Sequence, residues 1–211
     1  MRKGLSVIAV SVAALVLSGC VSWGWSEPDD FFAFYELPEQ PQIASATFCH
    51  AYGCQVRSRV NITDAWPRVR AEFANVQNPA QERYAMAQAV GIVETAVGPV
   101  LGTADDPGGV LNSAWTGNPA YQDCIDEAAN TTMLLVLMKQ DGLFRFHDVH
   151  SPSIRGVFID GRWQHYTAVV QETGNEDRFV IDSWFRGNGR PAVVMPFQEW
   201  YTGYGIPPEA A

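Results

Sequence analysis

The chain has 211 residues, 23 acidic against 14 basic, for a net charge of −9. So acidic a surface repels phosphate backbones, which argues against nucleic acid as a partner. Hydrophobic residues at 47% and aromatic ones at 12% suffice for a packed core and exceed what a disordered stalk carries.

Residues 1–20, MRKGLSVIAVSVAALVLSGC, place Arg2 and Lys3 before an apolar run from Leu5 to Leu17 and a small-residue box, Leu17-Ser18-Gly19-Cys20. The run is too short to span a bilayer comfortably and reads as a signal peptide, 1–19. The box resembles that of bacterial lipoproteins, which implies a lipid on Cys20 and attachment to a membrane. Val21 follows where an inner-membrane retention aspartate would stand, favouring the outer membrane, facing the periplasm. Residues 20–45, with Trp23, Trp25, Pro28, Pro38 and Pro41 and little periodicity, read as a lipidated tether. Residues 46–211 then form a single domain.

Cys49 and Cys54 flank a short segment containing His50 and Gly53. Where disulfides form, the pair can close a local staple. A zinc site using His50 is the alternative, but it lacks a second ligand pair at a recognised spacing. Downstream, Thr63 reads as the N-cap of a helix over 63–75, with Pro67 in its first turn. A second helix starts at the Asn78 cap with Pro79 at its first position, and Gly98-Pro99 ends it. Residues 102–119 form a loop rich in Gly, Pro, Asn and Asp. Its Asp105-Asp106 pair lacks the ordered spacing of a calcium loop and reads as a turn.

A third helix covers 124–140 and is apolar nearly all round in its second half, as suits a helix central to a domain. Asp141-Gly142 ends it. Strand patterns follow over 144–149, 156–159, 163–171, 179–185 and 192–195. The order predicts an α+β domain, with N-terminal helices and a central helix packed on an antiparallel β-sheet.

With lipid on Cys20 and Cys49 paired to Cys54, Cys124 is left over at a helix N-terminus. The macrodipole and the unpaired N–H groups there favour a thiolate and can stabilise an oxyanion. Asp123 suits the N-cap, and Asp126 and Glu127 the first turn. A thiolate also needs a histidine and a group to orient it. If Gly174-Asn175 centre the turn between the strands over 163–171 and 179–185, His165 faces Trp184. Asp182 then lies diagonally on the same face as His165.

Asp123-Cys124-Ile125-Asp126 opening a central helix, followed by a strand His165 and a strand Asp182, resembles the transglutaminase-like superfamily, whose bacterial branch includes periplasmic cysteine proteinases. The resemblance covers roughly residues 79–200 and implies a papain-like fold. It assigns Cys124 as nucleophile, His165 as base and Asp182 as orienter, with no cofactor. Many members carry glycine before Asp-Cys where this chain has Gln122, which is either an oxyanion donor or a loop cap. The implied function is a lipid-anchored envelope thiol enzyme that cleaves or transfers an amide bond in a protein or peptide substrate. Two alternatives stand beside it. One is a non-catalytic envelope lipoprotein that uses the fold for binding or scaffolding. The other is a murein peptidase of the class whose motif reads Asp-Cys-Ser-Gly, although here Ile125-Asp126 replaces Ser-Gly. His147, Asp148 and His150 form the competing candidate for a metal, but strand alternation sends residues three apart to opposite faces, so the stretch reads as a solvated strand end.

Overall fold

The computed structural model describes residues 27–156 and 164–203. Cys20, Trp163 and most of the expected strand over 156–159 therefore lie outside the described residues. The part of the expected tether that is described is folded. Helix α1 (Pro28–Phe34) has proline in its first turn and sinks Phe31 and Phe32 completely into the core. Sequence periodicity misses it because seven residues give barely two turns.

Strands β1 (Ala46–His50) and β2 (Val56–Val60) pair antiparallel as a hairpin that sequence reading did not anticipate. All of β1 is buried, so it shows no polar-apolar alternation to read. Helix α2 (Trp66–Phe73) begins after Thr63, with Ala65 at the N-cap position. The Thr63 N–H instead bonds Asn61 Oδ1 at 2.9 Å, in a turn that precedes the helix.

Helix α3 (Pro79–Leu101) starts as expected, with Asn78 Oδ1 accepting the Gln81 N–H at 3.0 Å, but it runs through Gly98-Pro99 and stops at Gly102, φ +84°. Gly98 is there for packing: a Cβ on it would lie 2.7 Å from Asn188 Nδ2 and 3.1 Å from Ala104 Cα. Gly91, two turns earlier, stands against the backbone of Gly189 and Arg190 in the same way. These two glycines let the loop of residues 183–192 lie directly on α3.

Helix α4 (Cys124–Gln140) has the expected bounds and buries Leu134, Leu135, Leu137 and Met138 almost completely. Each such side chain contributes about 1.5–3 kcal/mol of burial. Four strands follow in sequential antiparallel order: β3 (His147–Arg155), β4 (His165–Glu172), β5 (Arg178–Asp182) and β6 (Val193–Pro196). A break expected around Ser151-Pro152 is a register shift inside β3 between His150 and Ser153, consistent with proline being tolerated at bulges. Helix α5 (Phe197–Thr202) closes the described chain.

The protein is thus α+β, with two antiparallel sheets. One face of the larger sheet, through Ala168, Val170 and Ile181, joins α3 and α4 in the main core. The other, through Val169, Val180, Val193 and Met195, packs with Phe185 and the Trp200 of α5.

Candidate active site

The N-terminus of α4 is built by its acids. Asp123 Oδ1 accepts the N–H groups of Ile125 and Asp126, both at 3.0 Å, and Asp126 Oδ2 accepts the Asp123 N–H at 3.1 Å, a reciprocal capping box. The same carboxylates reach outward to the hairpin. Asp126 accepts the N–H of Tyr52 at 2.8 Å and of Cys54 at 2.7 Å, while Asp123 Oδ2 accepts that of Gly53 at 3.0 Å. Those N–H groups point inward because Ala51, Tyr52, Gly53 and Cys54 all have positive φ, from 57° to 73°. Three of them are not glycine, and left-handed backbone costs about 1–2 kcal/mol per such residue. The expected Cys49–Cys54 disulfide spans this turn, and the carboxylates fill the concavity of N–H groups that it creates.

Cys124 itself is buried, and its Sγ donates to the Gln164 carbonyl at 4.0 Å. Burial foremost, then the Asp123 charge, pushes the thiol up to about 12, with the Tyr166 N–H opposing. The sulfur thus sits against the backbone of Gln164 and Tyr166, the neighbours of His165, while the imidazole packs with Phe185 and Trp200 on the sheet face opposite α4. Among the described residues no hydrogen bond joins it to the His165 ring. The backbone N–H of Cys124 is the one first-turn donor of α4 left without an acceptor among the described residues, since Asp123 takes those of Ile125, Asp126 and Glu127.

His165 and Asp182 are brought together. The pairs Ala168–Ile181 and Val169–Val180 extend to place His165 opposite Trp184, the register expected from the turn. His165 Nε2 donates to Asp182 Oδ2 at 2.7 Å, both groups buried. The same oxygen accepts the Trp200 Nε1–H at 3.0 Å. Rings of Trp184, Phe185 and Trp200 surround the imidazole, with centroids 4.8, 5.1 and 5.8 Å away. The indole N–H of Trp184 is buried and unpartnered among the described residues. Because Nε2 holds the proton shared with Asp182, Nδ1 is the basic nitrogen of the neutral ring.

Gln122 is tied into the scaffold. Its Nε2 donates to the Cys49 carbonyl at 3.2 Å, and its N–H donates to Asp106 Oδ1 at 3.2 Å. Asp106, expected to lie in a simple turn, is buried, and that burial lifts its carboxyl to about 7.

His50 and His147 are both engaged within the fold. His50 donates from Nδ1 to the Pro119 carbonyl at 2.8 Å and accepts at Nε2 from Ser58 Oγ at 2.9 Å. The stretch around His147 was expected to be a solvated strand end, and His147 is instead buried. Its Nε2 accepts from Arg83 at 3.0 Å, so Nδ1 carries the proton donated to Glu82 Oε1 at 2.9 Å. Glu82 also accepts the N–H groups of Arg145 and Phe146, which fastens α3 to β3. Asp148 is exposed and pairs with Lys139. Among the described residues no group of three or more His, Cys, Asp or Glu side chains is arranged to hold a metal ion.

Sequence reasoning missed Trp200, Tyr35 and Tyr166. Trp200 comes from a six-residue helix with no periodic signal. Tyr35 and Tyr166 share a side-chain hydrogen bond within electrostatic reach of the Cys124 sulfur; burial raises both phenols, each reinforced by the other or by that sulfur. Comparison with known protein families, with curated proteins and with solved structures finds no match to this chain.

Proposed function

We propose that this chain is a lipid-anchored thiol enzyme of the bacterial envelope, with a transglutaminase-like, papain-like fold, that breaks or transfers an amide bond in a protein or peptide. The observation that carries the reading is the His165–Asp182 pair, held from behind by Trp200, with Nδ1 as the basic nitrogen of the neutral ring. Supporting it, Cys124 opens α4 beside the backbone that carries His165, and its own N–H has no acceptor among the described residues.

In the proposed reaction the first turn of α4 moves to bring Sγ to the imidazole, and Sγ attacks a carbonyl carbon while its proton passes to His165 Nδ1. The tetrahedral oxyanion takes the N–H of Cys124, with the Trp184 indole N–H as a second donor in place of Gln122. The imidazolium returns its proton to the leaving amine, so a thioester forms as the C–N bond breaks. Water or a second amine, deprotonated by Nδ1, discharges the thioester. Asp182 fixes the tautomer throughout. The steps need no cofactor. The signal-peptide reading places the domain outside the cytoplasm, tethered through Cys20 to the outer membrane.

One observation favours the non-catalytic alternative, an envelope binding or scaffolding module: the thiol is buried, raised to about 12, and bonded to a carbonyl instead of the imidazole. Acylation separates the two readings. Full-length protein is treated with p-nitrophenyl acetate, with the disulfide closed and after reduction, and acetyl-Cys124 is quantified by peptide mass spectrometry. The enzyme reading expects acylation in at least one state, and a loss of about 100-fold or more in His165→Ala, the size of general-base assistance. Equal acylation of wild type and His165→Ala in both states would overturn it.

A further inference from the structure

We infer that the Cys49–Cys54 disulfide is a latch on Cys124: closed, it holds the first turn of α4 in its buried seat, and opened by a dithiol it frees that turn and makes the thiol reactive. The inference rests on Cys124 being the reactive group proposed above. It needs neither the substrate nor the role of His165.

The ties between the hairpin and the start of α4 converge on the segment between the two half-cystines. The Cys49 carbonyl accepts from Gln122 Nε2 at 3.2 Å and from Asn130 Nδ2 at 2.9 Å, and the Cys49 N–H donates to Asn130 Oδ1 at 2.7 Å. The Ala51 N–H donates to the Tyr121 carbonyl at 2.9 Å. The N–H groups of Tyr52, Gly53 and Cys54 clasp Asp126 and Asp123. Cys124 is thus bracketed on both sides, at 121–123 and at 126, by bonds to one six-residue loop.

That loop holds its N–H groups convergent only while Ala51, Tyr52 and Cys54 stay left-handed, at φ 73°, 68° and 57°. Side-chain-bearing residues leave that region when nothing constrains them. Reduction removes the covalent constraint. The S–S bond breaks, Cys49 and Cys54 each gain an electron and a proton, and the two sulfurs of the dithiol join as its own disulfide. Relaxation of the backbone then turns the N–H groups away from the carboxylates. The first turn of α4 loses its external clasp and keeps only its own capping box.

Cys124 is faced by Asp123, Asp126 and Asp182, and by Tyr35 and Tyr166. Burial is the largest cause that keeps its thiol protonated, so loosening the seat lowers the thiol from about 12 toward the ordinary 9.0. At one decade per unit this caps the gain in thiolate at about a thousandfold.

The experiment follows Cys124 carbamidomethylation by iodoacetamide at pH 8 in full-length protein, resolved by peptide mass spectrometry. Oxidised protein is compared with dithiothreitol-reduced protein after removal of the reductant, and with Cys49→Ser/Cys54→Ser. A rise of tenfold or more at Cys124 is expected in both. Asp126→Asn with the disulfide intact gives a smaller rise. Glu82→Gln, which weakens the fold at the α3–β3 clasp far from this loop, keeps the oxidised wild-type rate. Equal rates in oxidised and reduced protein would overturn the latch, as would a matching rise in Glu82→Gln, which would assign the effect to global opening. These rates do not depend on His165, so a failed acylation test leaves them readable.

Discussion

Replacing the buried Glu94 by glutamine should stabilise the protein at alkaline pH. Glu94 lies on α3, where its Oε2 accepts the Gly189 N–H at 2.9 Å. Burial, opposed by that bond and reinforced by the charge of Asp106, lifts its carboxyl to about 7. Asp106 is lifted to about 7 as well, by burial first and by Asp123, against the Gln122 N–H. The unfolded chain releases these protons near 4.5 and 3.8. Across the interval from there to about 7 the folded state binds protons that the unfolded state has lost. The stability from these groups is complete below the unfolded values and is lost as pH rises through the folded ones. At about 1.4 kcal/mol per unit, Glu94 accounts for roughly 3 kcal/mol, and the two together for less than twice that because they repel each other. Asp126 and Glu127, both raised well above ordinary values chiefly by burial, act in the same direction. Glu94→Gln keeps a carbonyl for the Gly189 N–H and removes the charge. Urea midpoints measured from pH 5 to 8 should fall for wild type and fall less for the variant, which should be about 1–3 kcal/mol more stable at pH 8. A wild-type midpoint that climbs over this range, or a variant no more stable than wild type at pH 8, would refute the reasoning.

Trp200→Phe removes the N–H that holds Asp182 Oδ2 and keeps a ring against His165. The acylation rate of Cys124 should fall about tenfold, the scale of one hydrogen bond to a charged group, and its pH profile should shift while the far-ultraviolet circular dichroism stays unchanged. An unaltered profile would remove Trp200 from the positioning of the pair. Glu82→Ala strands the donors of His147, Arg145 and Phe146 in a buried site. It should cost about 3–5 kcal/mol, or roughly 10 °C in Tm by thermal melting.

Local signals were the legible ones. The bounds of α4 follow from an acidic cap, a long apolar run and Asp141-Gly142, all within the segment itself. The register that aligns His165 with Trp184 follows from one short turn, because a hairpin's pairing is set by its loop. What escaped was set from a distance. Gly98 reads as a helix stop, yet the loop at Asn188 is what requires it, 90 residues away. His147 reads as a solvated strand end, yet Glu82 and Arg83 of α3 bury it. The hairpin β1–β2 has no alternation because α4 and the rest of the core cover both of its sides at β1. Trp200 reaches Asp182 only once β6 and α5 have folded back over the sheet.

The acids beside Cys124 pose the sharpest physical problem, since carboxylates next to a thiol oppose its ionisation. Their bonds resolve it in part. Asp126 is buried completely, and its two oxygens receive three backbone N–H groups, so they are directed at the hairpin and the cap. Asp123 likewise faces Ile125, Asp126 and Gly53. Both are architectural groups that fasten the helix start to the disulfide loop. Their residual repulsion, added to burial, keeps the thiol protonated in this conformation. In the proposed site the base is oriented while the nucleophile is still a buried, protonated thiol. Reactivity then depends on moving the first turn of α4, and the Cys49–Cys54 loop is the part of the structure that holds that turn still.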